Sequence, residues 1–494
     1  MMTNDQLVDQ NGKNYNRAIM VLILLVGGFF TMLNETMLAT AYPKLMSYFS
    51  INASTVQWLT SSFLMVNGIM IPLTAWLTER FNTKWLYLFS VIIFEVGTIL
   101  AYFANNFPVL LVSRIIQAVS VGIAMPLFQT IMLEIYPVKQ RGAAMGLAGL
   151  VIGLSPAVGP VLSGWIVDHA SWRDLFGMNI IPMALVFLLG LKYLKPVLSN
   201  HRSPLDYWSV VWSCIGFGLL LYGFSSVGQD GWGSKTVLLS LIIGLIFVGV
   251  FIKRELSIDD PLVDLHVFTY FKFNLGTVIG SLTMMSMVGF EMILPLYLQT
   301  MHGDSAFQSG LTLLPGALCI GAISPVAGRI FDRFGARNLS ISGFIFLTIG
   351  TVPFVFITQH TSTLYIIVIY AIRSVGIATT LMTVTTYSMN SLPNRYINHG
   401  TSATNTAKQI GSSIATAILT SVLSNVTTNA KPVHHTLAVD PLIYKDRMIH
   451  AALSGFHAAF IVAIIFGILG FSTALLIKRN DLGTTKSVGK EAAK

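Results

Sequence analysis

Long apolar stretches, separated by short polar segments, make up most of this chain. We count fourteen stretches, each close to the roughly 20 residues that an α-helix needs to cross about 30 Å of hydrocarbon. Their limits are 18–40, 55–77, 85–105, 108–133, 142–166, 176–195, 208–227, 236–254, 273–299, 307–330, 337–358, 363–388, 400–426 and 452–478. The pattern predicts an all-α integral membrane protein with 14 transmembrane helices.

A short polar sequence occurs twice between these stretches, with its two copies 253 residues apart. Each copy joins an acidic residue, an arginine and a phenylalanine: Glu79-Arg80-Phe81 in the first and Asp332-Arg333-Phe334 in the second. A duplicated loop within an apolar chain indicates two homologous halves. Secondary transporters commonly use such halves to open one site alternately to each side of the membrane.

Two additional apolar stretches separate the halves, so we predict a 6+2+6 arrangement. The predicted segments are an N-terminal tail (1–17), a six-helix bundle (18–195), two additional spans with their connecting loops (196–272), a second six-helix bundle (273–478) and a C-terminal tail (479–494). We expect the transport path to lie between the two bundles.

Composition supports a membrane protein, because 54% of the residues are hydrophobic, 10% are charged and the mean hydropathy is +0.70. Soluble domains carry about a quarter charged residues. The net charge of +9 reflects topology: 21 of the 30 Lys and Arg residues lie on the side that holds the N-terminus, and six lie on the other side. By the positive-inside rule, both termini are cytoplasmic, and we expect no nucleic-acid partner.

The chain carries no sequence typical of a bound cofactor. Cys214 and Cys319 both lie in predicted spans, so we expect no disulfide and no metal site. No G-x-x-x-x-G-K-[ST] sequence for nucleotide phosphates occurs, which favours an ion gradient as the energy source.

The fifth span contains a run of small residues and prolines. Its members are Gly153, Pro156, Gly159, Pro160 and Gly164. Small residues let helices approach closely, and prolines bend a helix, so this span is a candidate for close packing or for a hinge.

Several motifs follow one another along residues 18–478. They include Leu33-Asn34-Glu35-Thr36 in span 1, Arg114 with Gln117 in span 4, the run in span 5, and the sequences at 261–265 and 310–316. In these motifs the chain resembles the fourteen-span drug:proton antiporter branch of the major facilitator superfamily. Within that branch it is most similar to the lincomycin-type multidrug exporters of Gram-positive bacteria.

The resemblance implies a major facilitator fold in the cell membrane. It also implies a transporter rather than an enzyme, which exports lipophilic and often cationic small molecules in exchange for protons. Such a protein contacts membrane lipids and is expected to function as a monomer. The run in span 5 resembles the antiporter motif of that branch.

The chain departs from the branch at two places. Asn34 stands where the branch usually has Asp, and the acid follows one position later at Glu35, which turns the side chain by about 100° around the helix. In the first loop copy, Ala75, Glu79 and Asn82 replace the usual Gly, Asp and Gly.

Four charged residues within spans are candidates for proton coupling, because an ionisable group in hydrocarbon costs several kcal/mol unless it faces water or a partner. Glu35 is a candidate proton carrier, or else a member of a structural ion pair. The resemblance implies that Arg114 adjusts this acid; alternatively, it donates to backbone carbonyls. Glu291 and Arg373 lie 256 and 259 residues further on, so we hypothesise a second acid–base pair in the other half.

Four side chains are expected to line the substrate cavity: Asn34, Glu35, Glu291 and Tyr297. The 21 methionines and the aromatic residues are suited to an adaptable apolar pocket. Two other charged residues have other expected roles. We interpret Glu95 as structural and Lys408, in the first turns of span 13, as an edge residue that reaches the interface.

The repeated loop residues Glu79, Arg80, Asp332 and Arg333 predict a conformational latch. Their charges can pair with helix ends on the cytoplasmic side and so steady one state of the transport cycle. The positive-inside rule alone accounts for the arginines but not for the repeated order of acid, Arg and Phe.

Two rival functions remain open at this stage. One is a dedicated exporter of an endogenous metabolite or peptide. Another is a lipid flippase, or a sensor without transport, on the same scaffold.

Overall fold

The computed structural model describes residues 14–198, 204–432, 441–478 and 481. Fourteen helices in these ranges are long and apolar enough to cross a membrane, as predicted. They are α1 (Arg17–Met37), α2 (Ala53–Arg80), α3 (Thr83–Tyr102), α4 (Phe107–Ile135), α5 (Arg141–His169), α6 (Asp174–Tyr193), α7 (Tyr207–Asp230), α8 (Lys235–Glu255), α9 (Phe271–Tyr297), α10 (Ala306–Phe334), α11 (Ala336–Thr351), α12 (Thr363–Asn390), α13 (Ile397–Ala430) and α14 (Pro441–Ala474). Most of both predicted tails lies outside the described residues.

Polar caps explain where several of the helices begin. A side-chain oxygen that accepts from a backbone N–H of the first turn satisfies one of the donors that the helix leaves unpaired. Such caps are Asn16 at α1, Asn52 at α2, Asn106 at α4 and Ser305 at α10. Ser305 and Gln308 also form a reciprocal capping box.

Helix packing repeats between α1–α6 and α9–α14. In the first six helices, α1 packs on α5, α2 on α4, and α3 on α6. Each of these contacts recurs eight helices later, as α9 on α13, α10 on α12, and α11 on α14. The loop duplication in the sequence therefore corresponds to a duplicated packing pattern.

The two sets of helices meet along α5 and α10, which form the most extensive helix pair of the structure. On the other side, α7 packs against both α2 and α13, and α8 packs on α7. Of the two additional helices, α7 therefore lies between the halves, and α8 lies outside α7. We call the side on which α1 begins the first face and the opposite side the second face.

An ion pair clips α7 to α8. Asp206 caps α7 by accepting from the backbone N–H of Ser209 at 3.2 Å, and it binds the guanidinium of Arg254 at 2.5 and 2.8 Å. Hydrogen bonding from Arg254 holds the pKa of Asp206 far below its usual range. Because the pKa of Asp206 is lowered, the ion pair loses its contribution to stability only when the pH falls through that lowered pKa. The ion pair between α7 and α8 therefore persists throughout the neutral and mildly acidic range.

The α5–α10 contact depends on residues without large side chains. A Cβ at Gly146 would lie 2.5 Å from the carbonyl oxygen of Ser324, and one at Gly164 would lie 3.0 Å from Cα of Phe307. A Cβ at Gly153 would collide with Ile320. Small residues along the whole of α5 therefore permit close approach of the two halves.

The other members of the span 5 motif face elsewhere. A Cβ at Gly159 would collide with Thr36 of α1. Pro156 and Pro160 both lie inside α5, and Pro156 borders the cavity described below.

Replacement of Gly146 by Ala tests this contact. Because backbone atoms of α10 limit the space, we expect the Gly146→Ala protein to lose about 1–3 kcal/mol of stability. The melting temperature in detergent should fall by several degrees. Gly249→Ala on α8 is the matched control, since a Cβ there meets nothing within 4 Å. Equal melting temperatures for the two variants would contradict the proposed role of the contact.

Candidate transport cavity

A cavity of about 260 Å³ lies where the two halves meet. Its walls come from α1, α2, α4 and α5 of the first half, from α9, α12 and α13 of the second half, and from one residue of α7. Five methionines from both halves contribute to the lining: Met32, Met125, Met284, Met287 and Met382. Flexible thioether side chains give such a cavity an adaptable apolar surface.

The structure places Glu35 and Glu291 together in the wall of this cavity. Glu35 lies near the end of α1, and Glu291 lies at the corresponding position of α9. Each half therefore contributes one carboxylate to a shared space. Carboxylates in a partly apolar cavity can hold a proton or attract a cationic group.

The other two predicted lining residues lie outside the cavity. Asn34 is buried and its side chain binds Arg114, while Tyr297 is buried and donates to the carbonyl oxygen of Thr358 at 2.6 Å. The acid of α1 stands one position later in this chain than in the branch that it resembles, and the structure shows the effect of this shift. Asn34 turns into the bundle, and Glu35 turns towards the cavity.

Arg114 lies behind the cavity wall, fully buried. Its guanidinium donates to the side-chain and carbonyl oxygens of Asn34 and to Oε1 of Gln117 at 2.9 Å, and it lies 4.2 Å from the ring centroid of Phe63. The charges of Arg114 and Glu35 interact, but within the described part of the chain no ion pair of 4.0 Å or less joins them. Arg114 therefore anchors the residue that precedes the acid.

Arg373 makes a related set of contacts in the second half. It donates to the carbonyl oxygen of Ser286, and its guanidinium lies 3.9 Å from the ring centroid of Phe290. Again, among the residues described, it forms no ion pair of 4.0 Å or less with Glu291. Both arginines thus bind a backbone oxygen of the helix that carries an acid, and both lie over an aromatic ring.

Lys408 does not occupy the edge position that its sequence position suggested. It lies in the third to fourth turn of α13, because this helix already begins at Ile397, and its side chain is only 5% exposed. Its Nζ donates to Oγ1 of Thr385 at 2.7 Å, and the residue lines the cavity. The predicted span begins at residue 400, three residues after the observed start of the helix, and so places Lys408 nearer to the interface.

Two amides join the halves beside the cavity. Asn405 of α13 donates to Oε1 of Gln129 of α4 at 2.9 Å, and both residues line the cavity. Sequence reasoning missed this pair, because neither residue is charged or part of a motif.

Two acidic side chains join the halves at the first face. The carboxylate of Asp332, at the end of α10, accepts from the backbone N–H groups of Gly142 and Ala143 at 2.8 and 2.9 Å. It therefore caps the N-terminus of α5, where the helix dipole favours a negative charge. This is the contact with a helix end that the repeated loop suggested for the acid.

Glu79, the first-copy counterpart of Asp332, binds the start of α13. Nε2 of His399 donates to its carboxylate at 2.8 Å. Nδ1 of His399 accepts from the backbone N–H of Asp264 at 3.0 Å, which leaves Nε2 to carry the proton. His399 lies 256 residues after Ala143, so the repeat offset could have identified it.

The arginines of the two loops have a different environment from the acids. Arg80 and Arg333 are exposed, and the guanidinium of Arg333 lies 5.1 Å from the ring of Phe334. The acids, rather than these arginines, make the described contacts between the halves.

Comparisons with known proteins agree with this architecture. The model of the Major Facilitator Superfamily matches residues 24–416. The chain is 46% identical to the uncharacterized MFS-type transporter YcnB of Bacillus subtilis (strain 168), over 94% of this chain and 96% of that protein. It is 35% identical to the lincomycin resistance protein LmrB of Listeria innocua, over 95% of this chain and 98% of that protein. Among solved structures, the human organic anion transporter MFSD10 (TETRAN) superposes with a TM-score of 0.64, at 13% identity, over 92% of this chain and 99% of that one.

Fourteen spanning helices in the described ranges surround a cavity between two similar halves, and together with the family match they identify a multi-pass membrane transporter rather than an enzyme. The chain belongs to the major facilitator superfamily, and its place is the plasma membrane.

Replacement of Asp332 by Asn tests the latch at the first face. A neutral amide loses the charge-assisted hydrogen bonds to α5, and a weakening of about 1.5 kcal/mol raises the ratio of open to closed molecules roughly tenfold. Spin labels at positions 139 and 337, in a protein without Cys214 and Cys319, should report longer distances across this face. Arg333→Gln is the control, because Arg333 is exposed. An unchanged distance distribution for Asp332→Asn would exclude the latch.

Proposed function

We propose that this transporter exports lipophilic, often cationic small molecules in exchange for protons, with both termini and the first face in the cytoplasm. The observation that carries the proposal is the shared cavity with one carboxylate from each half, Glu35 and Glu291. The similarity to the lincomycin resistance protein supports drug-like substrates. The excess of basic residues on the first face supports the orientation.

The carboxylates would bind either a proton or the cationic substrate. Burial disfavours the charged form of a carboxyl group, so an empty cavity favours the protonated acid. A bound cation favours the ionised acid, because opposite charges interact strongly where water is scarce. Competition for Glu35 and Glu291 would therefore couple export of the substrate to entry of a proton.

The arginines would connect this exchange to the helices. Arg114 binds Asn34, the residue directly before Glu35, and Arg373 binds the carbonyl oxygen of Ser286, five residues before Glu291. A change of charge at either acid alters the field at its arginine, and the arginine holds the backbone of the same helix. We therefore assign Arg114 and Arg373 as positioning residues for the two acids.

Alternating access would follow from breaking the contacts at one face. In this structure, Asp332 and Glu79 hold the first face together. Release of both would let the halves rock apart around the cavity and admit substrate from the cytoplasm. Re-formation of both would then favour release on the second face.

Transport by purified protein in liposomes tests the coupling. Ethidium and internal pH are followed together for the wild-type protein, Glu35→Gln and Glu291→Gln. Glutamine mimics the protonated acid and cannot release a proton. We therefore expect the proton-coupled ethidium flux of each cavity variant to be at least about tenfold lower than that of the wild-type protein. Glu95→Gln is the matched control, since Glu95 lies on α3 and does not line the cavity.

Three outcomes would change the proposal. If Glu291→Gln retains normal transport and pH dependence, the second acid has no part in coupling. Coupling that survives in both cavity variants but is lost in Glu95→Gln would move the proton site out of the cavity. No ethidium movement in the wild-type protein would favour a dedicated metabolite or lipid substrate.

A further inference from the structure

The cavity contains a buried lysine that the proposed exchange does not use. Lys408 is 5% exposed and makes one described hydrogen bond, to the hydroxyl of Thr385. An ammonium group has three donors, so two remain for a further partner. In the described ranges, no carboxylate oxygen lies within 4.0 Å of its Nζ.

The surrounding backbone makes room for this side chain. A Cβ at Gly280 of α9 would lie 3.1 Å from Cε of Lys408 and 3.9 Å from its Nζ. The lysine therefore extends between α9 and α12, with the cavity beside it. The ionisable groups that share the cavity are Glu35 and Glu291.

The cation and the two acids lie at different depths. Counted from the first-face ends of their helices, Lys408 lies 11 residues along α13, whereas Glu35 and Glu291 lie 18 and 20 residues along α1 and α9. At 1.5 Å per residue, the lysine is about 10 Å nearer to the first face than Glu35 and about 14 Å nearer than Glu291. The cavity thus has a basic end and an acidic end.

Lys408 also breaks the similarity between the halves. The position 256 residues earlier, at the same offset as Glu35 from Glu291, is Ile152, which lines the cavity too. The first half therefore presents an apolar side chain where the second half presents a charge. Packing alone does not require a lysine at position 408, since an aliphatic residue, Ile152, fills the corresponding position of the first half.

We propose that Lys408 binds an anionic group of the substrate, so that the cavity takes amphoteric compounds with a lipophilic body, a basic group and a carboxylate or similar anion. This inference rests on the proposed export function and narrows its substrate class. The basic group lies towards Glu35 and Glu291, and the anion binds Lys408 through charge-assisted hydrogen bonds. A buried charge without a counter-ion is unfavourable, and such a substrate supplies one.

Binding of two dyes to the purified full-length protein tests the assignment. One is a rhodamine with a free benzoate, and the other is the methyl ester of the same dye, which has nearly the same shape but lacks the anion. Fluorescence anisotropy gives both affinities for the wild-type protein, Lys408→Met and Lys408→Arg. Lys235→Met, an exposed position at the start of α8, is the control with the same chemical change.

We expect Lys408→Met to weaken binding of the acid dye at least about tenfold, as for loss of a hydrogen bond to a charged group. The ester should bind within about twofold of its wild-type affinity, which also shows that the variant is folded. Lys408→Arg should retain most of the affinity for the acid.

Equal losses for the two dyes, an unchanged affinity for the acid, or failure of the wild-type protein to bind the acid would each overturn the assignment. Ethidium transport distinguishes this failure from failure of the export function. Transport of ethidium without binding of the acid dye would leave export intact and remove the anion subsite. If Lys408→Met selectively loses binding of the acid dye but the wild-type protein does not transport ethidium, the anion subsite is retained and cation export is rejected.

Discussion

The cost of a charge in hydrocarbon determines where the ionisable side chains of this protein lie. Within the spans, a charged group needs either a protein partner or a cavity. Arg114 and Arg373 take the first solution, with backbone and side-chain oxygens on one side and an aromatic ring on the other. Glu35, Glu291 and Lys408 take the second solution and supply the ionisable groups of the cavity lining.

In the proposed cycle, the same cost would connect the site to the movement of the halves. In the proposed exchange, an acid that changes its charge in a cavity of about 260 Å³ would change the field on nearby groups, because the apolar side chains of the lining screen a charge only weakly. Arg114 and Arg373 are fully buried and bound to the helices that carry the acids. In the proposed exchange, proton binding would thereby be linked to backbone segments rather than to a free side chain.

The contacts between the halves are of two kinds. Along α5 and α10, glycines allow backbones to approach closely, and this packing continues from one face to the other. At the first face, Asp332 and Glu79 each bind the start of a helix in the opposite half. In the proposed cycle, the few hydrogen bonds at the first face would break and re-form, whereas the close packing farther along α5, at Gly153 and Gly164, would persist as a pivot. The α7 helix adds a further wall between α2 and α13.

The sequence by itself determined the number of spans, the two halves and the acids of the cavity. Hydropathy is a property of local sequence, and the repeat offset relates Glu35 to Glu291 without knowledge of the fold. Only the tertiary structure decided that Asn34 turns towards Arg114 and that Lys408 lines the cavity. The reason is geometric: one residue turns a helix by about 100°, and the packing of distant helices selects which face borders the cavity.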